Sequence, residues 1–335
     1  MTGVQRYAQE IVACMKGQVR LIAPRENGVG IAGHLWEQAM LPWLLRDREV
    51  LWSPCNTGPL AVRRHVVTIH DTTPWDHPEW LNPNFARWYR WLIPKLARRA
   101  RRIFADSQFS KERIVVNVGI PAERIVVVYP AAGKQFKARS TQEVAQTIKT
   151  LGLPSPHYLL SLCSLEPRKN LIRLLAAWER VLPELPQEVW LVLSGALGVR
   201  RVFGQISLDR IPPRVHLTGY VEEAKLPALY TGALGFAYVS LFEGFGLPPL
   251  EAMACGTPVL TSRFASLPEV VGEAAFYLDP TSSEEIAEGI RQFVDDSGLR
   301  QQLRQKGLER VTCFSWEKSA AQVLHVLAQV AAEKD

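Results

Sequence analysis

Two kinds of hydrophobic pattern alternate along roughly the first 140 residues of the chain. Short apolar runs bounded by turn residues predict buried strands, whereas apolar positions three and four residues apart predict amphipathic helices. Strands are expected at 19–23, 50–53, 65–70, 103–107 and 124–129. Helices are expected at 4–15, 34–45 and 83–102, the last one bent at Pro94. Apolar strands that alternate with helices indicate a parallel sheet with helices on both faces.

A second alternating pattern follows a polar stretch at 134–147, which we interpret as a linker. Strands are expected at 158–161, 189–194, 215–218, 235–239, 258–261 and 275–278. Helices are expected at 171–182, 224–230, 248–254 and 284–297, and the segment 299–332 is expected to be mostly helical. The pattern predicts an α/β protein with doubly wound domains at 1–140 and 150–312, and a C-terminal helix over about 315–332 that packs back on the first domain. Because such sheets bind ligands at the carboxyl ends of their strands, a cleft between two facing domains is expected.

The composition narrows the class of protein. The chain has 335 residues, of which 47% are hydrophobic and 21% charged, and this excludes a disordered chain, a collagen and a small disulfide scaffold. No apolar run has the length of a membrane-spanning helix, and residues 1–16 lack a signal-peptide pattern. The five cysteines are scattered, with no spacing typical of a metal or redox pair. We therefore expect a cytoplasmic protein.

Positive charge is concentrated in the front half of the chain. The net charge of +6 divides into +10 for residues 1–150 and −4 for the remainder. The segment 84–102 has seven basic and no acidic residues, and it also carries Phe85, Trp88, Tyr89 and Trp91. This pattern fits a helix that lies on an anionic membrane, and it equally fits an amphipathic helix packed on the sheet with its arginines in water. Nucleic-acid binding is not expected, because no nucleic-acid module is present.

The segment 240–251 has the composition of a ligand-binding loop. A predicted strand ends there, Gly244 and Gly246 follow, and a helix opens at the prolines 248 and 249. Glycines let a backbone approach a ligand, and the first N–H groups of a helix can bind a diphosphate. Glu243 and Glu251 bracket the loop, and carboxylates accept hydrogen bonds from sugar hydroxyls. Alternatively, Glu251 in the first helical turn complements the helix dipole and Glu243 is a solvated loop residue.

The motifs resemble those of glycosyltransferase family 4. Glu243 and Glu251 have the spacing of the E-x7-E pattern of retaining glycosyltransferases with the GT-B fold, and the likeness extends over nearly all of the chain. The matching segments are Glu243-Gly-Phe-Gly-Leu-Pro, Glu251-Ala-Met-Ala-Cys-Gly-Thr-Pro-Val, Ser266-Leu-Pro-Glu-Val, Gly219-Tyr and Phe314-Ser-Trp316-Glu. Glu166-Pro-Arg-Lys-Asn170 and Trp36-Glu-Gln38 are most similar to the mannosyltransferase-type subgroup.

The resemblance implies a GT-B fold of two Rossmann-like domains and specific roles for the loop. Glu243 is expected to hold hydroxyls of the donor sugar, and Glu251 the ribose of the nucleotide. Backbone N–H groups of Phe245, Gly246 and Leu247 are expected to meet the diphosphate or the sugar. Further candidate donor-binding positions are Gly3, Ser164 and Gly195.

The start of the chain departs from the family pattern. Relatives open with a strand that leads into a glycine-rich turn, whereas this sequence begins at Thr2-Gly3, at the end of that turn. We therefore expect the first strand of the N-terminal sheet to be missing from this sequence. The role of Gly3 depends on that turn.

Two basic residues and a histidine complete the candidate site. Arg168 and Lys169 follow a predicted strand, where they are expected to neutralise the leaving nucleoside diphosphate, although a solvated helix start would have the same composition. Relatives carry another arginine nearby, where this chain has Cys163-Ser-Leu. By itself, a lone histidine at a strand end is more often a structural hydrogen-bonding residue, whereas the resemblance places His70 near the anomeric carbon of the donor sugar, as a hydrogen-bonding and positioning residue. Asp71 either orients His70 or accepts a proton from the acceptor hydroxyl. No Asp-x-Asp dyad or metal-ligand spacing is present, so we expect no metal and no cofactor.

The resemblance implies a retaining transfer of a hexose from a nucleotide sugar to a hydroxyl of a glycan or lipid-linked acceptor. Mannose from GDP-mannose is the first expectation, and the product would be a cell-envelope polysaccharide or glycolipid. Peripheral contact with the inner face of the plasma membrane is expected through residues 84–102. The alternatives are a sugar-nucleotide epimerase of similar fold and a non-catalytic nucleotide-sugar binder.

Overall fold

The structure is a computed structural model that describes residues 3–24, 30–46, 49–162, 166–195 and 211–333. The chain forms two compact units. Unit 1 consists of Met1–Pro78, Pro83–Pro130 and Ser315–Asp335, and unit 2 of Glu79–Asn82 and Ala131–Phe314.

Unit 1 is built on a parallel sheet of four strands within the described residues. The strands are β1 (Leu51–Ser53), β2 (His65–Ile69), β3 (Arg102–Ala105) and β4 (Ile125–Val127), and they lie side by side in this order. All five residues of β2 are buried, because β2 pairs with a neighbour on both sides and helices cover the sheet.

Helices connect the strands of unit 1. They are α1 (Gly3–Cys14), α2 (Ile31–Leu35), α3 (Leu41–Leu44), α4 (Thr73–Asp76), α5 (Pro83–Arg99) and α6 (Gln108–Val118), with a π-helical turn at Trp36–Met40 between α2 and α3. The buried face of α5, with Ile93 and Leu96, packs against Val67 and Ile103 of the sheet.

Unit 2 contains a parallel sheet of six strands within the described residues. The strands are β5 (Tyr158–Leu162), β6 (Trp190–Ser194), β7 (Val215–Gly219), β8 (Gly235–Tyr238), β9 (Val259–Ser262) and β10 (Ala275–Leu278), arranged as β10-β9-β8-β5-β6-β7. Neighbouring residues point to opposite faces, so Leu159 and Leu160 belong to two separate cores. The helices are α7 (Thr141–Thr150), α8 (Leu171–Val181), α9 (Leu226–Gly232), α10 (Leu247–Ala254), α11 (Leu267–Val271), α12 (Ser283–Asp295) and α13 (Ser297–Val311).

The last helix, α14 (Trp316–Ala332), belongs to unit 1. It packs against α1, where the rings of Tyr7 and Trp316 meet edge to face at 6.0 Å between centroids. The Ser319 hydroxyl lies 2.5 Å from the carbonyl oxygen of Tyr129, and the Gln322 amide donates to the carbonyl of Val127 at 3.0 Å. These hydrogen bonds fix α14 beside the end of β4.

Two expected elements differ from the structure. Residues 19–23 form no strand, and Leu21 is 71% exposed, so the apolar run has no core to pack on. The expected linker at 134–147 contains the start of α7, because Ser140 and Glu143 form a capping box that begins a helix. The expected long helix is confirmed as α5, which contains Pro94 in its interior, and the bend at Pro94 stays a prediction.

Candidate active site

Two loops lie side by side at the carboxyl-end edge of the unit 2 sheet. One follows β5 and contains a 3₁₀ turn at Pro167–Lys169, and the other follows β8 and spans residues 239–246. They meet because β5 and β8 are parallel neighbours. The backbone N–H of Leu241 donates to the carbonyl of Arg168 at 2.8 Å, which joins the two loops.

Asn170 anchors the first loop. It has a left-handed backbone with φ of 59°, a conformation that Asn tolerates better than most residues. Its side-chain amide donates to the carbonyls of Val239 at 3.1 Å and Pro280 at 2.6 Å. The backbone of the preceding Arg168 and Lys169 is thereby tied to the loop after β8.

The side chains of these loops form a buried group of charges, which we call the Glu243 cluster: Glu243, Arg168, Lys169 and Tyr238. Lys169 Nζ lies 2.8 Å from Glu243 Oε1, and Arg168 Nη1 lies 2.8 Å from Glu243 Oε2. Arg168 Nε also donates to Glu166 Oε2 at 2.6 Å. Glu243 is only 5% exposed, and the side chains of Arg168 and Lys169 are half-buried, so neither the carboxylate nor the basic pair is a solvated surface feature.

The cluster keeps Glu243 ionised. Burial by itself raises the pKa of this carboxyl, but the Arg168 and Lys169 charges and hydrogen bonds outweigh it and lower the pKa to about 2. Burial lowers the pKa of the Lys169 ammonium, and the Glu243 charge opposes that change. The charged state of the Glu243 carboxylate therefore depends on the two cations, and the charged state of Lys169 depends on the carboxylate.

Tyr238 is a member of the cluster that the sequence analysis missed. Its hydroxyl donates to Glu243 Oε1 at 2.8 Å and accepts from Lys169 Nζ at 2.5 Å. Burial and the nearby Glu243 charge keep the pKa of this phenol well above its usual value, so it remains a donor. The signal available in the sequence is a tyrosine at the end of the strand that leads directly to Glu243.

The loop before α10 is closely packed. Gly246 has φ of +107°, and a Cβ there would lie 2.7 Å from Leu267 Cδ2, so a side chain would be both strained and crowded. The Ser266 hydroxyl lies 2.9 Å from the carbonyl oxygen of Glu243 and 2.7 Å from that of Phe245. Helix α10 then begins at Leu247. The predicted glycine loop thus leads into a helix N-terminus.

Glu251 is buried, at 2% exposure, in the second turn of α10 rather than the first. The Tyr230 hydroxyl donates to Glu251 Oε2 at 3.3 Å. The alternative that Glu251 complements the helix dipole from the first turn is therefore wrong, because the position is too far along α10.

The three other donor-site candidates are Gly195 in unit 2, Gly3 in unit 1, and Ser164. Gly195 follows β6 with φ of +149°, and its backbone N–H donates to the carbonyl of Gly219 at 3.0 Å. Gly3 is the first residue of α1 in unit 1. Ser164 lies outside the described residues.

Two family models match the chain. The model of group 1 glycosyl transferases matches residues 145–310, which contain the Glu243 cluster, and the glycosyltransferase family 4 model matches residues 35–132. The O-antigen chain mannosyltransferase B of Escherichia coli is 33% identical over 287 residues, which cover 84% of this chain and 75% of that protein. The chain belongs to glycosyltransferase family 4.

Further relatives of this glycosyltransferase are also mannosyltransferases. The serotype-specific mannosyltransferase WbdA of Escherichia coli is 32% identical over 266 residues, which cover 76% of this chain and 32% of WbdA. The MMP alpha-(1->4)-mannosyltransferase of Mycolicibacterium hassiacum is 29% identical over 265 residues, which cover 76% of this chain and 61% of that protein. This glycosyltransferase therefore spans about a third of WbdA.

Solved structures with the same fold confirm the predicted class of two doubly wound α/β domains in a GT-B fold. WaaG, a glycosyltransferase involved in lipopolysaccharide biosynthesis, has a TM-score of 0.70 at 15% identity, with 98% of this chain and 96% of WaaG covered. HepE of Anabaena, in complex with UDP and glucose, has a TM-score of 0.65 at 23% identity, with 79% of this chain and 71% of HepE covered.

His70 of the glycosyltransferase lies in a second group of charges, which we call the His70 cluster: His70, Asp106 and the Pro54 carbonyl. Both ring nitrogens contact acceptors, Nδ1 at 2.7 Å from Asp106 Oδ2 and Nε2 at 2.7 Å from the Pro54 oxygen. Burial opposes a charge here, but Asp106 and the Pro54 carbonyl outweigh it and raise the pKa of His70. Two acceptors fit an imidazolium that donates from both nitrogens.

The structure therefore gives His70 a different set of contacts from the expected one. Its ring nitrogens contact the protein rather than facing outward, and its ring also packs edge to face on Tyr7 at 5.0 Å. Asp71 does not orient the ring, since Asp106 does, and Asp71 Oδ1 accepts from the backbone N–H of Thr73 at 3.0 Å. Asp106 is a residue that the sequence analysis did not single out.

Within the described ranges, three or more His, Cys, Asp or Glu side chains are nowhere grouped as a metal site would require. Of the helices in the same ranges, none combines the length and the apolar character needed to cross a membrane.

Proposed function

We propose that this glycosyltransferase transfers mannose from GDP-mannose to a hydroxyl of a glycan or lipid-linked acceptor, with retention of the anomeric configuration. The proposal is supported by the mannosyltransferases among its relatives and by the motifs 166–170 and 36–38. The observation that carries it is the Glu243 cluster, in which two half-buried cations share one buried carboxylate in the loops after β5 and β8.

The cluster supplies the groups that such a transfer needs. As the bond between the anomeric carbon and the diphosphate breaks, negative charge grows on the leaving oxygen, and Arg168 and Lys169 neutralise it. Glu243 accepts hydrogen bonds from donor-sugar hydroxyls, and Glu251 from the ribose. The N–H groups of residues 245–247 face the diphosphate or the sugar.

Retention follows from attack on the same face as the departing group. The acceptor oxygen bonds to the anomeric carbon as the diphosphate leaves, and the proton of the acceptor hydroxyl passes to the leaving diphosphate oxygen. Every proton and bond is then accounted for by donor and acceptor alone. His70 acts by supporting unit 1, since its nitrogens are engaged by Asp106 and Pro54.

The proposal assigns charge neutralisation to Arg168 and Lys169, without a metal ion. Transfer is therefore expected to proceed at an unchanged rate in EDTA. A rate that EDTA abolishes and Mg²⁺ or Mn²⁺ restores would contradict this part of the proposal.

We further propose that helix α5 contacts the anionic inner face of the plasma membrane. Trp88 and Trp91 are 37% and 45% exposed, and their rings stack at 5.1 Å. Lys95 Nζ lies 3.7 Å from the Trp91 ring centroid, so cations and aromatic rings share one surface. Sedimentation with phosphatidylglycerol vesicles, but not with phosphatidylcholine vesicles, is the expected result. Trp91→Ala should weaken it, and equal binding to both vesicles would contradict the charge argument.

The test of the donor site is a thermal-shift screen of the whole chain against GDP, UDP, dTDP and their sugars. Stabilisation by one nucleoside diphosphate is expected, and Lys169→Ala and Glu251→Ala should abolish it. The matched controls are Lys225→Ala and Glu222→Ala, an exposed pair on the same unit, and both should respond as the wild type. A chain that melts cooperatively but responds to no nucleotide would contradict the proposed function.

A further inference from the structure

Glu243 binds the same two cations that the proposed function assigns to the diphosphate. Its two carboxylate oxygens divide between Lys169 and Arg168, each at 2.8 Å. A diphosphate and this carboxylate would therefore compete for the same two cations, because both are anions that bind lysine and arginine in the same manner.

Within the described residues, the charges of the Glu243 cluster and the adjacent Glu166 balance. Arg168 contacts Glu166 as well as Glu243, so two carboxylates accompany two cations. A nucleoside diphosphate adds at least two further negative charges in a buried site, where repulsion between charges is weakly screened. The least costly way to admit it is to turn Glu243 away from the cations.

What Glu243 gains by turning depends on the ligand. The hydroxyls of a sugar nucleotide can donate to the carboxylate and replace the hydrogen bonds it gives up. A nucleoside diphosphate lacks the donor sugar, and its ribose hydroxyls are assigned to Glu251, so Glu243 would keep only the hydroxyl of Tyr238, at 2.8 Å. Tyr238 also accepts from Lys169 at 2.5 Å, so it can hold the lysine while the carboxylate moves.

We infer that Glu243 makes the site discriminate between the sugar nucleotide and the spent nucleoside diphosphate. With the sugar attached, the carboxylate binds hydroxyls and the cations bind the diphosphate. After transfer, the carboxylate returns to Lys169 and Arg168 and displaces the product. This inference rests on the proposed function, because it assumes that the cations bind the diphosphate of a donor.

The test compares dissociation constants by isothermal titration calorimetry on the full chain. The probes are GDP, UDP and dTDP, together with GDP-mannose, UDP-glucose and dTDP-glucose. For the base that binds, Glu243→Gln should bind the nucleoside diphosphate about tenfold more tightly than the wild type, since one competing anion is removed. The preference for the sugar nucleotide over the diphosphate should fall by at least about tenfold. Product inhibition of transfer should strengthen accordingly.

Two further variants keep the result interpretable. Glu243→Ala removes the same charge and replaces Glu243→Gln if the glutamine variant fails to melt cooperatively. It should also bind the nucleoside diphosphate about tenfold more tightly than the wild type. Glu222→Gln, at an exposed glutamate, should leave both constants unchanged. If the wild type binds a nucleoside diphosphate and neither Glu243 variant binds it more tightly, the inference is wrong and the proposed function stands. If none of the six probes binds the wild type, both fail.

Discussion

The two units each bury a cluster of charges where a parallel strand ends, and the clusters differ in how they use their donors. Both ring nitrogens of His70 contact protein acceptors at 2.7 Å. Lys169 has three N–H donors, of which the described residues take two, through Glu243 and Tyr238. Both ring nitrogens of His70 are thus engaged by the protein, although the buried Asp106 Oδ1 has no hydrogen-bond partner among the described residues. Lys169, in contrast, retains a donor for a ligand.

This difference separates a cluster that stabilises the fold from a cluster that binds a ligand. A residue at the end of a strand is well placed for either task, and both His70 and Glu243 follow a buried strand. The spare donors distinguish the two clusters. A ring nitrogen of His70 has to break a hydrogen bond inside the protein before it can bind a ligand, whereas Lys169 has a third N–H to offer. We therefore expect changes in the Glu243 cluster to affect transfer, and changes in the His70 cluster to affect stability.

The largest effect is expected for Lys169→Ala. Removing a cation that neutralises the leaving diphosphate should lower kcat/KM of transfer by about 10²- to 10³-fold. Initial rates of mannose transfer from GDP-mannose measure this, with Lys225→Ala as the control on the same unit. If the Lys169→Ala enzyme keeps more than half of the wild-type rate, Lys169 does not neutralise the leaving diphosphate.

The next effect concerns acid stability. The pKa of Glu243 is lowered to about 2 from an ordinary value near 4.5, so its contribution to stability is complete above about pH 4.5 and is lost as the pH falls toward 2. The contribution is of order 3 kcal/mol. The free energy of unfolding of the wild type, measured in urea, should fall as the pH is lowered across this range. For Glu243→Gln, the free energy of unfolding should depend less steeply on pH. If it depends on pH equally steeply in the two proteins, Glu243 is not the group that titrates.

A smaller effect is expected for His70→Gln. Replacing the imidazolium should lower the free energy of unfolding by about 1–3 kcal/mol while GDP affinity stays within about twofold of the wild type. Because the pKa of folded His70 is raised, its contribution is complete below about pH 6.5 and is lost as the pH rises through the folded value. The difference between the two proteins should narrow at high pH. Lost GDP affinity at unchanged stability would instead place His70 in the donor site.

A loss of stability of similar size is expected for Gly246→Ala. A Cβ at φ +107° and 2.7 Å from Leu267 should cost about 1–3 kcal/mol of stability and weaken nucleotide binding. Gly119→Ala is the matched control, because its φ is +71° but nothing lies within 4 Å of the added Cβ. The two variants together separate backbone strain from crowding. Equal losses in stability would show that crowding at Gly246 contributes nothing.

Much of the architecture could be predicted from the sequence. The strands of unit 2 are continuous apolar runs, which parallel sheets produce because they are covered on both faces. Residues 19–23 have the same apolar composition but form no strand. A strand needs neighbouring strands to pair with, and the local sequence pattern does not contain that information. Helix α7 was missed because its signal is the Ser140–Glu143 capping box rather than a strong apolar periodicity.

The candidate site could be predicted in part. The motifs point to Glu243, Arg168 and Lys169, and the structure brings these three together. The partners of His70 could not be found in the same way, because Asp106 is 36 residues away and meets His70 only when β2 and β3 pair. Tyr238 was overlooked because a tyrosine in an apolar strand has the composition of ordinary core.

The most direct test of the proposed transfer is a ¹H NMR time course of GDP-mannose with the full chain and a mannose-terminated glycan acceptor. We predict loss of the donor anomeric signal, growth of one new α-anomeric signal, and release of GDP in equal amount. Donor consumption should be far slower without the acceptor. Conversion of GDP-mannose to a different sugar nucleotide without acceptor, or binding of GDP-mannose with no consumption, would contradict the account.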